Sequence, residues 1–590
     1  MQTKTIVINY FKKQKAMYSS GIIFILIATV STGYLPRQLG KIVNLLSDTS
    51  AANSVSINDV YKQAFILLFL AVLIFVARFF WRLLIMSSNR GIERFIRQLL
   101  FKKMQELSSD FYIKHNTGEL ITRAIADVQG VRMMVGMGIL GMVEIITINI
   151  VSIYNMITTT NFLITLIVIA PIPFLLWLLV KIRMIVRLRF ADLQQSVTEM
   201  SSKVQENITG IRIIKAFTEE RSESETFGEM SKVKWRNEMR LARISALISP
   251  AGSIVFAVIY TIFLIAASKL VVERTLNIGD YVAFGTYIAL ILDPINRISK
   301  IIQVWQRGLV SMQRLDVVMY AKASINDNKA DKSIKKIAHT NISFKNLTFK
   351  YPESDTNALQ SLEFEIEENS VLAVMGSTGA GKTTLMNLLL HLWEVPENKI
   401  FIGGLEINKI PLHVLRSAFA YVPQDNFLFS DTIMNNIRFY EEQISKSAAR
   451  EAAKAAAVYD NIMSFPDDFN TIVGERGMTL SGGQKQRVAI SRALARNPQF
   501  LILDDSLSAV DTETEHLILT NLKKYIKNCT TIIVTHRASA AMLADKILFL
   551  TDDGKKAAFG THEELCTTCE TYAALLRSQD FQGVEENCNE

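Results

Sequence analysis

Residues 161–180 carry no charged side chain, and neither do residues 244–268. A helix needs ~20 mostly apolar residues to cross a bilayer. In lipid its backbone must satisfy its own hydrogen bonds, which leaves few other folds for such a stretch. Uncharged runs at 21–35, 63–77, 145–158 and 281–292 repeat the pattern. Extended past flanking charges, they predict six spans at about 18–46, 59–88, 133–158, 161–185, 243–269 and 279–304.

The basic residues set an expected orientation. Lys4, Lys12, Lys13 and Lys15 precede the first span, Arg90, Arg94, Arg97, Lys102 and Lys103 follow the second, and Lys181, Arg183, Arg187 and Arg189 follow the fourth. The connections 47–58 and 158–161 have no basic residue, and the third has only Lys269 and Arg274. Both termini are therefore expected in the cytoplasm, in a multi-pass protein of the cell (plasma or inner) membrane. The first apolar run leads into Pro36, Arg37 and Lys41 rather than a small-residue cleavage site, so no signal peptide is read. The connections 88–132 and 181–243 have helical periodicity and few breakers, and such helices would extend well below the bilayer.

Charge divides the chain. Residues 1–330 hold 38 basic and 22 acidic side chains, and residues 331–590 hold 26 and 34. The basic residues bracket apolar runs rather than forming a stripe, which argues against nucleic acid as a partner. All 4 cysteines lie beyond residue 500, which excludes a disulfide scaffold; Cys566 and Cys569 have metal-like spacing but no second pair, and are read as incidental thiols. The expected organisation is a membrane domain at 1–320, a polar linker at 321–339, an α/β domain at 340–580 and a tail at 581–590.

In the second half, an apolar strand (371–374) leads into Gly376-Ser377-Thr378-Gly379-Ala380-Gly381-Lys382-Thr383 and a helical run beginning at Thr384. This is a phosphate loop in strand–loop–helix context: glycines let backbone N–H groups curl around an anion at a helix N-terminus. Lys382 would reach the terminal phosphates, and the Thr383 hydroxyl would hold Mg²⁺. A second strand, 500–504, ends in Asp504, a candidate Mg²⁺ ligand. Asp505 follows where a water-positioning base would sit, and His536 ends a third strand, 531–534, within reach of a γ-phosphate. Leu480-Ser481-Gly482-Gly483-Gln484 opens a helix at 485–495, with Ser481 as N-cap. It reads either as an ordinary capped start or as a second anion site.

These motifs, in this order, resemble the nucleotide-binding domain of ATP-binding cassette (ABC) proteins: phosphate loop, Gln424 in Val422-Pro423-Gln424-Asp425, the LSGGQ signature, Asp504, Ser508-Ala509-Val510-Asp511 and His536. The resemblance implies Tyr351 stacking on adenine and ATP lying between Gly376–Thr384 of one domain and Ser481, Gly482, Gly483 and Gln484 of another. It also implies Mg²⁺ at Thr383, Gln424 and Asp504, and catalytic roles for Asp505, His536 and Gln424. The segment 473–477 is similar to the family's contact with the membrane domain. The six-span half resembles the exporter type, with 111–121 and 210–220 similar to its first and second cytoplasmic loop regions. The implied fold is a polytopic α-helical membrane domain followed by a P-loop ABC domain, forming half of a transporter.

One departure stands out. The family usually has Glu after the strand-ending Asp, and this chain has Asp505. Its carboxylate is set back by about one methylene, and a general base contributes ~10²–10⁴-fold only within hydrogen-bond reach. Slow cleavage at this chain's own site, beside an intact signature, resembles heterodimeric bacterial multidrug exporters with one degenerate site. The expectation is a non-identical partner and export of amphipathic compounds. Alternatives are an Asp tolerated in a homodimer, an engineered change, a lipid or peptide exporter, or an ATP-binding regulatory subunit.

Weaker signals lie in the spans. Glu144 is a candidate for meeting cationic substrates, or else a structural partner of a nearby basic or hydroxyl group. Arg78 and Arg82 are read as snorkelling to lipid headgroups. Asp293-Pro294 is read as a break or kink in the sixth span. Met133, Met134, Met137, Met142, Phe174, Trp177, Tyr260, Phe263 and Tyr287 are candidates for an adaptable pocket, against ordinary packing or lipid-facing roles.

Overall fold

A computed structural model of the chain describes residues 2–47, 57–159, 162–273, 276–352, 354–474, 477 and 480–577. The connections at 48–56, 160–161 and 274–275, with Arg274, and the tail at 581–590 lie outside the described residues. Two compact units form: Met1–Gln105 with Thr117–Ala321, and Glu106–Asn116 with Lys322–Glu590.

The first unit is helical. Lys15–Ser47, Ile57–Glu106 and the helical stretch Thr117–Thr159 are long and apolar enough to cross a membrane, and Phe256–Val272 and Ile278–Leu292 are shorter apolar segments. Phe162–Ile169 and Ile172–Thr209 are separated at Ala170 and Pro171. The helix Ile57–Glu106 exposes Phe65, Leu68, Phe69, Val72 and Phe75 along its length. That is the reverse of a water-soluble helix and suits a lipid solvent. It continues without interruption to Glu106, so its 50 residues extend ~75 Å, beyond the ~30 Å that hydrocarbon requires.

The helix Ile278–Tyr320 runs unbroken through Pro294, so of the expected break or kink the break does not occur. Proline costs one helical hydrogen bond, and packing within a bundle tolerates that loss in a membrane. The Asp293 side chain lies outside the described residues. Π-helical turns at Arg123–Asp127 and Met134–Gly138 interrupt the third apolar stretch. Glycines allow close packing: a Cβ on Gly279 would fall 1.9 Å from the Gly40 carbonyl, so Lys15–Ser47 and Ile278–Tyr320 meet backbone to backbone.

The second unit contains β1 (Ile342–Phe349), β2 (Leu359–Ile366), β3 (Val371–Gly376), β4 (Ile400–Ile402), β5 (Leu405–Glu406), β6 (Phe419–Val422), β7 (Phe500–Asp504), β8 (Thr530–Val534), β9 (Lys546–Leu550) and β10 (Lys556–Gly560). One sheet has the order β10-β9-β3-β8-β7-β6, parallel from β9 to β6, and the other is antiparallel with the order β2-β1-β4-β5. Every residue of β3, β7 and β8 is buried, as expected for parallel strands covered on both faces. Phe344, Leu388, Phe500 and Ile502 fill one side, and Val422, Ile437, Val488 and Leu503 fill the other. The parallel register places Gly376, Val422, Asp504 and Val534 along one edge, the carboxyl ends where open α/β sheets bind ligands. The unit also takes in Glu106–Asn116: the Ser108 hydroxyl accepts the Ile325 N–H at 3.1 Å, and Asp110 accepts from the Ser324 hydroxyl at 3.1 Å.

Candidate nucleotide site

The loop after β3 is shaped by backbone that only glycine adopts easily. Gly376, Gly379 and Gly381 have φ of 146°, 91° and 87°. A Cβ on Gly376 would sit 2.5 Å from the Leu550 carbonyl, and one on Gly381 would sit 2.4 Å from that of Ala358. The following helix begins at Lys382, two residues earlier than expected. Lys382 is buried, and its ammonium donates to the Gly376 carbonyl at 2.8 Å and the Ser377 carbonyl at 2.7 Å. Burial lowers its pKa, opposed by the charges of Asp504 and Asp505. The ammonium is thus held across the loop that would wrap phosphate. Ser377 donates its hydroxyl to Asp552, while Thr378 and Thr383 are exposed and Ala380 is buried.

Asp504 is buried at the end of β7, and burial raises its pKa despite hydrogen bonds from Thr383 and Tyr421. The Thr383 hydroxyl lies 3.5 Å from Asp504 Oδ1, and the Tyr421 hydroxyl donates to Oδ2 at 3.2 Å. A buried carboxyl beside an exposed hydroxyl, both hard oxygen donors, fits a divalent cation of the Mg²⁺ type, whose charge would relieve the burial cost. Asp505 has φ 46°, in the left-handed region, and its N–H donates to the Val534 carbonyl at 2.9 Å. Gln424, exposed after β6, donates to Asp505 Oδ2 at 3.4 Å, a long contact. The pKa of His536 is lowered by burial first and then by Lys382, with Asp505 opposing. Lys382, Thr383, Gln424, Asp504, Asp505 and His536 therefore form one cluster.

The signature lies on a separate edge. Its helix begins at Gly482, not 485, because the Ser481 hydroxyl accepts the Gln484 N–H at 3.3 Å and caps the first turn directly. The Gln484 side chain returns to the Ser481 N–H at 3.0 Å, completing a capping box. Among the described residues none of Ser481, Gly482, Gly483 and Gln484 hydrogen-bonds to the phosphate loop. Tyr351 is partly buried: its ring packs edge-on against Trp393 at 4.8 Å, and its hydroxyl donates to Thr384 at 3.0 Å, which engages the Thr384 side chain. Of the segment 473–477, Glu475 and Arg476 lie outside the described residues.

Three functional candidates went unread in the sequence. Tyr421, the third residue of β6, holds Asp504. Gln486 is buried and bonds the loop Ser508-Ala509-Val510-Asp511, donating to Ser508 at 3.3 Å and accepting from the Ala509 N–H at 3.1 Å. Arg537, next to His536, donates to the Ser508 carbonyl at 3.1 Å and pairs with buried Glu515. A polar residue on the buried face of a helix was the available signal for Gln486.

In the membrane unit Glu144 lies 3.6 Å from Arg297. The candidate pocket residues do not converge. Phe263 and Tyr287 are buried in a helix-packing core with Tyr260 against them, and Met134 is buried elsewhere. Met137, Met142 and Trp177 are exposed, and the Phe174 side chain lies outside the described residues. Cys566 sits 3.8 Å from His562, and the described residues include no cluster of three or more potential metal ligands.

Comparison with known proteins accords with this geometry. Residues 19–295 match the family model described as the ABC transporter transmembrane region, and residues 359–508 match the one described as ABC transporter. A probable multidrug resistance ABC transporter ATP-binding/permease protein of Bacillus subtilis, YheI, is 31% identical over 577 residues, covering 98% of this chain and 97% of its own. The multidrug resistance-like ATP-binding protein MdlA of Escherichia coli is 29% identical over 581 residues, with 98% and 97% covered. A solved structure of a bacterial Atm1-family ABC exporter with ATP bound shares the fold, with TM-score 0.79 and 24% identity over 96% of this chain and 99% of that one.

Proposed function

Because the chain belongs to the ABC transporter family as an exporter, an ATPase-coupled membrane transporter, we propose that it is one half of a heterodimer that exports amphipathic compounds, with a degenerate ATP site on its own phosphate loop. The observation carrying this reading is Asp505. Its short side chain meets Gln424 only at 3.4 Å, yet the same chain keeps an intact, capped Ser481-Gly482-Gly483-Gln484. In a head-to-tail pair those signature residues complete the partner's site, so the partner supplies the longer carboxylate and most of the turnover.

At this chain's own site, Gly376–Gly381 and Lys382 bind the phosphates, Tyr351 and Trp393 offer aromatic surface to the base, and Gln424 and His536 orient the γ-phosphate side. Mg²⁺ would be held by Thr383, Asp504 and Gln424, and it would supply neutralisation of phosphate charge. The domains run 1–320, 321–339, 340–580 and 581–590, with both termini and the nucleotide-binding part on the cytoplasmic side. ATP drives the cycle only by favouring the closed pair over the open one.

The test is purification of the tagged chain from membranes, alone and with whatever related chain accompanies it. The expected result is a distinct ABC half-transporter in the complex and an ATPase that needs both chains. A homodimer turning over at ~1–10 s⁻¹ overturns the reading.

A further inference from the structure

The membrane unit contains a cavity of 440 Å³ between the helices Lys15–Ser47, Ile57–Glu106, Ile139–Thr159 and Ile278–Tyr320. Its lining includes the apolar side chains Ile25, Ile145, Ile148 and Leu290. Among the described residues the lining also carries Arg78, Arg82, Arg297 and Glu144, three guanidiniums and one carboxylate. Glu144 is already opposed by Arg297 at 3.6 Å, longer than a charge-assisted hydrogen bond and still partly solvated on both sides. Among the described residues Arg78 and Arg82 have no carboxylate within ion-pair distance; the Arg82 guanidinium lies 5.7 Å from the ring centre of Trp81, which lines the same cavity. Arg78 and Arg82 are four apart on one helix, so their side chains rise from the same face.

Snorkelling to headgroups accounts for arginines that face lipid. These two line a cavity whose lining also includes a third arginine and apolar side chains. Arg78 lies 21 residues and Arg297 19 residues from the starts of their helices, ~30 Å along each. Charged and apolar side chains thus line the same cavity, an arrangement suited to a head and a tail. A cation entering here meets a surplus of positive charge, while an acidic head meets planar donors able to grip two oxygens at once.

We infer that this cavity takes the acidic head of an amphipathic anion, a carboxylate, sulfonate or phosphate on an apolar body, with Glu144 as counter-ion of Arg297 rather than receptor for cationic substrates. The inference rests on the exporter reading for its choice of an amphipathic ligand. The head group has two possible sources, an anionic lipid of the bilayer or an anionic solute from the aqueous side.

The test is equilibrium binding without nucleotide, so that it is independent of site asymmetry and turnover. The full-length protein, with its partner chain where one co-purifies, is placed in phosphatidylcholine nanodiscs. Labelled dodecyl phosphate and dodecyltrimethylammonium serve as probes that share a tail and differ in head charge. The phosphate is expected to bind at least tenfold tighter than the ammonium. Arg78→Gln with Arg82→Gln should weaken phosphate binding at least tenfold, Arg78→Lys with Arg82→Lys should retain most of it, and Glu144→Gln should leave it unchanged or tighter. Competition from phosphatidylglycerol in the nanodisc identifies lipid as the source, and its absence identifies a solute; either outcome supports the acidic-head site. Equal binding of the two probes, ammonium binding lost in Glu144→Gln, or phosphate binding indifferent to both arginines would overturn it. An ATPase failure with intact phosphate selectivity would count against the exporter reading alone.

Discussion

The side-chain oxygen of Gln486 accepts the N–H of Ala509 at 3.1 Å, and its amide nitrogen donates to Ser508 at 3.3 Å. One buried residue of the signature helix thereby fixes the loop that follows Asp504 and Asp505. Arg537 holds the same loop from the other side, through the Ser508 carbonyl, and stands next to His536. The signature edge and the γ-phosphate edge of one domain are therefore joined by two side chains through a short loop. Movement of either edge on closure would be transmitted to the other.

Gln486→Ala should remove the partner of the Ala509 N–H; Ala509 is exposed, so water can replace it and the cost stays near the ~0.5–1.5 kcal/mol of an ordinary hydrogen bond. It should also let the loop drift, and misplacement near 1 Å lowers rate by up to ~10²-fold. ATP affinity is expected to stay near wild type, because the phosphate loop is untouched. Measuring ATP binding and steady-state ATPase side by side separates the two effects; an equal fall in both would mean a general loss of folding.

Signature substitutions must respect the packing at Gly483. A Cβ there would lie 2.9 Å from the Ala509 carbonyl, so Gly483→Asp distorts the domain as well as the signature. At Gly482 the nearest atom is the Ala509 Cβ at 3.9 Å, and Asp is welcome in a first helical turn. Ser481→Ala with Gly482→Asp should therefore remove most hydrolysis by the complex while the chain still folds, the lost cap costing about 1 kcal/mol. Lys382→Ala should weaken ATP binding at this chain's own site with a smaller effect on turnover. If Lys382→Ala is the more damaging to turnover, the two sites have been assigned the wrong way round.

Much of this was legible along the chain because the signals are local. An uncharged run of twenty residues, or three glycines before a Lys, acts through the backbone it belongs to. What stayed hidden depends on contacts between distant segments. Tyr421 and Asp504 are 83 residues apart and meet because β6 and β7 pair in parallel. Arg297 was not read as the partner of Glu144, since only helix packing brings the sixth apolar segment against the third. Arg78 and Arg82 look the same in sequence whether they face lipid or line a cavity. Pro294 does not break its helix, because propensity in water does not describe a helix supported within a bundle. The capping box closed by Gln484 was not read in the sequence, where Ser481 alone stood as the N-cap.

His391 makes a pH prediction with a definite sign. It is buried at φ 48°, its Nδ1 has no hydrogen-bond partner, and burial with the Arg416 charge takes its pKa down to about 4, Asp327 opposing. The unfolded chain then binds the proton more readily, so this group contributes stability above pH ~6.5 that is lost as pH falls toward 4. Between pH 7.5 and 5.5 the loss should be about 1.4 kcal/mol. His391→Asn, which tolerates positive φ, removes the titration. Unfolding midpoints of the two proteins at both pH values should show a smaller acid penalty in the variant; identical penalties would mean that His391 is solvated.

Asp505 offers the most direct test of site asymmetry. Its carboxylate is short, its backbone is left-handed at φ 46°, and its N–H is tied to the Val534 carbonyl, so the side chain cannot advance by moving the main chain. Glu at this position gains about one methylene of reach, at some cost in backbone strain, since Asp tolerates that region better. Asp505→Glu should therefore permit cleavage at this chain's site, provided the partner's signature closes over it and nucleophile, γ-phosphate and Mg²⁺ are already aligned. Asp505→Asn, which keeps the backbone preference and removes the charge, should cost the assembled complex little. Neutralising the corresponding carboxylate of the partner should cost ~10²–10⁴-fold. The measurement is steady-state ATPase together with efflux of a fluorescent amphiphile in the co-expressed complex. If Asp505→Asn and the partner's substitution abolish both activities to the same extent, then both sites turn over and the asymmetric reading fails.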